Sequence, residues 1–161
     1  MSDMIKMSAK MNDIEFVELC AEGSGAQIAD AVKGGANVNA KDKGGKKTAL
    51  MVASALNSDA EAIAALINAG AEVNAKGEIG MTPLMWAADG NPNPEVTTAL
   101  INAGASVNAK NLFGMTPLML AVFSNPNPEV ATTLLELGAD PKATDNFDKT
   151  AADFAAKKKG E

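Results

Sequence analysis

The sequence has no His, no Arg and no Tyr, and its 161 residues include only one Cys and one Trp. Each absence removes a chemistry. Without His there is no Ser-His-Asp triad, no Cys-His pair and no His-ligated metal. One Cys is too few for an internal disulfide. It is also too few for the common structural zinc sites, which use four cysteines or two cysteines with two histidines. Without Arg, no bidentate clamp can close on phosphate, carboxylate or guanine. The fourteen cationic residues are all Lys, against twenty Asp and Glu, giving a net charge of −6. That balance opposes a nucleic-acid partner, whose affinity rests on basic contacts to phosphate. No cofactor is expected. No apolar run of signal-peptide length follows Met1–Met11, and none approaches the roughly eighteen residues of a membrane span. The expectation is no membrane partner and a cytoplasmic chain by default, or a periplasmic or secreted one if a signal was removed. The length fits one domain.

What the sequence does contain is a repeat. Thr48, Thr82, Thr116 and Thr150 follow one another at 34 residues, and Gly70, Gly104 and Gly138 keep the same step. Met81–Ala87 reads MTPLMWA and Met115–Ala121 reads MTPLMLA, while NPNPEV occurs at 91–96 and again at 125–130. One unit can be read physically. Thr82 is a good N-cap, with Pro83 at the first helical position, where a missing N–H costs nothing. Gly90–Pro92 breaks that short helix. Asn93 caps a second one, with Pro94 at its start and Glu95 favourably placed in the first turn. Val96, Leu100 and Ile101 share one face of it. Gly104 ends it, where a left-handed residue is needed. An extended connection then leads to Thr116. Neither helix would be stable alone.

These residues resemble a known family. Thr82-Pro83-Leu84-Met85-Trp86-Ala87, followed by Ala103-Gly104-Ala105-Ser106-Val107-Asn108-Ala109, is similar to the ankyrin repeat. Copies of the helix ending recur at 69–75 and 34–40. Met51, Met85 and Met119 stand where the signature Thr-Pro-Leu-His-x-Ala has His, and the period is 34 where the family has 33. These departures suggest a bacterial-type variant in which thioether packing replaces the His-centred hydrogen bonds. The resemblance implies an all-α solenoid of stacked antiparallel helix pairs, joined by extended, hairpin-like turns. About five units are expected, with caps at both ends. Residues 1–11 read as an N-terminal extension and 12–44 as a cap. Full repeats follow at 45–79, 80–113 and 114–147, then a cap at 148–159 and a tail at 160–161. At about 10 Å per layer the stack would be about 50 Å long. In the first cap, Asn12 with Glu15 and Ser24 with Gln27 have capping-box spacing. Phe16, Val17, Leu19 and Cys20 should face the stack. In the last unit, Asp153 takes the signature His position.

The resemblance also implies binding to another protein through the turn tips and the inner helix face, without catalysis. Ile79, Phe113 and Phe147 stand at one phase of the repeat, Met81 and Met115 form a second row, and Leu112 lies beside Phe113. They read either as a hydrophobic strip for a partner or as tip-to-tip packing. Trp86, equivalent to Val52 and Leu120, is a hot-spot residue type and also a normal half-buried one on an inner helix. Asp89 and Gly90, with their equivalents Phe123 and Ser124, end the inner helices where the repeats differ most. An exposed Phe123 is the sharpest single candidate for a contact. Lys41, Lys43, Lys46 and Lys47 make one turn basic, as a contact for an acidic patch or as a solvated loop. Cys20 reads as a buried thiol. The expected function is a monomeric, non-catalytic interaction module. Rival readings are a specific inhibitor or chaperone of one enzyme, an enzyme with a carboxylate or Lys site, and a designed repeat protein.

Overall fold

The computed structural model describes residues 10–160. The extension expected at 1–11 therefore lies almost wholly outside the described residues. Among those residues there are nine α-helices and no strand. They are α1 (Asp13–Glu22), α2 (Gly25–Lys33), α3 (Ala49–Leu56), α4 (Ala60–Asn68), α5 (Pro83–Gly90), α6 (Pro94–Asn102), α7 (Pro117–Ser124), α8 (Pro128–Glu136) and α9 (Ala151–Gly160). The odd-numbered helices pack side by side as an inner row, and the even-numbered helices form an outer row behind them. The result is the expected all-α solenoid, with α9 as a final inner helix.

Local chemistry sets the ends of these helices. Thr48, Thr82 and Thr116 cap α3, α5 and α7, each accepting from the N–H three residues on. Asn93 and Asn127 cap α6 and α8, each followed by Pro at the first helical position. The capping boxes Asn12–Glu15 and Ser24–Gln27 are both formed. α5 runs on through Gly90, and Asn91 is its C-terminal cap. The break expected at Gly90 thus begins one residue later. Gly70, Gly104 and Gly138 follow the outer helices with φ of 100°, 104° and 106°. Only a residue without Cβ adopts that conformation without strain.

One contiguous core runs through the stack. Phe16, Val17 and Cys20 of α1 are buried in it, and Leu19 packs against it half-buried. Val96 and Leu100 are fully buried on the inward face of α6, with Ile101 half-buried beside them. Met51, Met85 and Met119 are buried at 1%, 0% and 1% exposure, so thioethers do fill the signature His positions. Met51 also accepts a long hydrogen bond from the Thr48 N–H through Sδ, at 3.4 Å.

A second set of side chains ties the layers together. Asn57, Asn91 and Asn125 are buried at the turns between inner and outer helices. Asn91 donates Nδ2 to the carbonyls of Ser54 and Asn57, at 2.9 and 2.8 Å. Asn125 does the same to Ala88 and Asn91, both at 2.9 Å. Asn57 reaches Cys20 and Gly23 in the first cap, at 3.1 and 2.8 Å. Each Oδ1 accepts from the N–H two residues on. These bonds satisfy backbone carbonyls that the helix ends leave unpaired.

Candidate interaction surface

The turn tips lie between each outer helix and the next Thr cap. Asn111 and Asp145 are buried in successive tips. Asn111 Oδ1 accepts from the N–H groups of Phe113 and Met115, at 2.9 and 3.1 Å. Asp145 Oδ1 accepts from Phe147 and Lys149, at 2.8 and 2.9 Å. The first tip uses Asp42, whose Oδ1 accepts from Lys46 and Lys47. Asp42 is held below the ordinary 3.8, chiefly by the Lys46 N–H, then by the Lys47 N–H and the Lys47 charge. The tips are also bonded to one another. The Leu112 N–H donates to Ile79 O at 2.9 Å, and Asn146 donates its N–H to Phe113 O at 3.0 Å and its Nδ2 to Leu112 O at 2.8 Å. Gly114 allows this approach, because a Cβ there would stand 2.7 Å from the Asn146 nitrogen.

The tip residues named from the sequence divide into two groups. Ile79, Leu112, Phe113 and Phe147 remain exposed at 41%, 70%, 50% and 73%. Met81 does not form a surface row, since it is buried, with its Sδ 3.5 Å from Asn111 Nδ2. Met115 is half-buried and packs against the core. Met81 thus belongs to the core and Met115 rests against it. Ile79 has φ 53°, a left-handed conformation that is strained for a β-branched residue.

On the inner face, Trp86 is half-buried and its Nε1 is buried without an acceptor. Lys47 Nζ stands 4.3 Å from the ring centroid, a cation–π contact. Leu120 is buried, at 8% exposure, and offers no contact surface. Phe123 is 40% exposed, and its ring meets Phe154 of α9 edge-on at 5.8 Å. Phe123 therefore has an internal neighbour that its sequence position did not reveal. Asp89 is half-buried and lines a groove beside Trp86, and Ser124 is exposed at the end of α7. The sequence reading missed Leu56, which is 68% exposed at the end of α3. Its equivalents are Gly90 and Ser124, so repeat phase alone gave no apolar signal there.

The other chemistry-bearing residues have structural environments. Burial raises the Cys20 thiol from 9.0 to about 12. Asp153 accepts from the Thr150 N–H at 2.9 Å and holds the first turn of α9, and that bond lowers its pKa below the ordinary 3.8. No helix among the described residues is long and apolar enough to cross a membrane.

A family model described as ankyrin repeats (3 copies) matches residues 5–111, 57–145 and 90–160. No curated protein matches the chain.

Proposed function

The chain belongs to the ankyrin repeat family, and from that premise we propose that it is a monomeric, non-catalytic module. In this reading it grips a partner protein with its turn tips and inner helix face. Ankyrin repeats generally mediate protein–protein interaction. The observation that supports this finer reading is the exposed apolar series Ile79, Leu112, Phe113 and Phe147 on tips already bonded to one another. Large apolar side chains gathered on one edge are costly to leave in water and mark interaction surfaces. Tips that are ordered beforehand leave little conformational entropy to lose on binding. Tyr and Arg are missing, and Phe113 and Phe147 supply large aromatic side chains of the kind that bury much apolar area at interfaces.

The test is affinity capture from extracts of the source cells. The bait is the intact chain, compared with a Phe113→Ser, Phe147→Ser double variant. The reading expects a partner retained by the first and lost by the second. A partner retained equally by both refutes the tip assignment.

A further inference from the structure

We propose that the first two turn tips and the inner-face groove beside them form one bipartite site. Its occupant is an extended acidic segment of a partner protein that carries one bulky apolar side chain. The proposal rests on the protein-binding reading above and specifies the partner's chemistry.

Two grooves flank the dipeptide Lys46–Lys47. The tip groove has a volume of about 240 Å³ and is lined by Lys41, Lys46, Lys76 and Glu78 around Gly77. The inner groove, of about 300 Å³, is lined by Lys47, Val52, Leu56, Trp86 and Asp89. Lys46 borders the first and Lys47 the second, so the two are adjacent along the backbone.

One residue distinguishes this tip from the later ones. At the equivalent positions of later tips, Asn111 and Asp145 fill the turn with a buried side chain. Gly77 has none, and the Lys46 carbonyl and the Met51 thioether pack there instead, 2.8 and 3.1 Å from where a Cβ would stand. The groove itself is bordered by three lysines, Lys41, Lys46 and Lys76. Lys46 pairs with Glu78 at 3.2 Å, with both side chains more than half exposed, and this is the one ion pair among the described residues. Lys41, Lys43 and Lys76 have no carboxylate partner there and are exposed. In a chain of net charge −6, such a patch is where an acidic segment is attracted, while other surfaces repel it.

The inner groove takes the other half of the ligand. Its apolar walls are Val52, Trp86 and the exposed Leu56. Asp89 at its edge repels a carboxylate. That fixes the orientation, with acidic side chains over the tip lysines and the apolar side chain against Trp86. A nucleic acid lacks that side chain, and its phosphates would run on past the lysines to Asp89.

Selection of displayed random short peptides on the full chain tests this site. The selected pool is expected to be rich in Asp and Glu, with one bulky apolar residue. A selected peptide should bind the Lys41→Gln, Lys43→Gln, Lys76→Gln variant about tenfold more weakly, because three favourable charge contacts are lost. Leu56→Ser should weaken it too, and Phe147→Ser should not. Because Trp86 is the only Trp, its emission should change saturably on titration. A neutral or basic pool, equal binding to the triple variant, or displacement of the peptide by duplex DNA overturns the proposal. Peptides that depend on Phe113 and Phe147 but not on the lysines overturn it and leave the protein-binding reading standing. Peptides indifferent to both sets of changes contradict both.

Discussion

The side-chain amide of Asn91 donates to the backbone carbonyl of Asn57 at 2.8 Å, across a sequence separation of 34 residues. One repeat is thereby joined to the next through a buried polar bond. Replacing Asn91 with Ala leaves the carbonyls of Ser54 and Asn57 and the Asn93 N–H without partners. Each buried group left unsatisfied costs about 1–3 kcal/mol, so a loss of roughly 3–5 kcal/mol is expected. Asn93→Ala removes mainly a helix cap and should cost about 1 kcal/mol. Urea unfolding of the two variants distinguishes these values.

Ile79 stands at φ 53° with its side chain 41% exposed. A left-handed conformation costs a residue with a Cβ about 1–2 kcal/mol, and glycine escapes that cost. Ile79→Gly should therefore stabilise the chain by up to about 1 kcal/mol once the greater flexibility of glycine when unfolded is counted. The same change deletes an apolar tip side chain. Parallel denaturation and capture experiments are expected to show a firmer fold with weaker retention of the partner.

Trp86 carries a buried indole N–H with no acceptor, beneath the Lys47 ammonium. Trp86→Phe keeps an aromatic ring and removes the unpaired donor, so stability should change by less than about 1 kcal/mol. Lys47→Ala loses a cation–π contact worth about 0.5–1 kcal/mol at a partly exposed site. Far-UV circular dichroism through a denaturant series measures both, independently of Trp emission.

Cys20 is buried, and its thiol is raised from 9.0 to about 12. The neutral thiol is the form that the fold accommodates. Its contribution to stability is complete below pH 9.0 and is lost as the pH climbs toward about 12. Folding should weaken over that alkaline window, and a Cys20→Ala variant should show a smaller decline there. At neutral pH, a thiol reagent should label the native chain only as fast as the first helix pair opens, and label the unfolded chain at once.

The sequence reveals the architecture through repetition at several phases at once. Thr caps, Pro at first helical positions and Gly after the outer helices all recur at the same step, and each has a local physical meaning. The binding surface is less legible, because period does not tell which way a turn side chain points. Met81 and Ile79 lie two residues apart in one tip, yet the first is buried and the second is exposed. Leu56 was hidden because its repeat equivalents are polar or lack a side chain. Phe123 acquires a neighbour, Phe154, from the atypical last unit. Asn91 and Asn125 open the two NPNPEV segments, whereas Asn57, which a different sequence follows, went unmarked. Their bonds reach backbone carbonyls, whose positions no sequence pattern displays.

Amide hydrogen exchange of the chain, alone and with its captured partner, tests the central claim most directly. The account predicts added protection in the turn tips around Lys41–Thr48, Gly77–Met81, Asn111–Met115 and Asp145–Lys149. It also predicts protection along the exposed side of the inner helices α3, α5 and α7, with α4, α6 and α8 unchanged. Protection confined to the outer helices, with the tips exchanging as in the free chain, would contradict it.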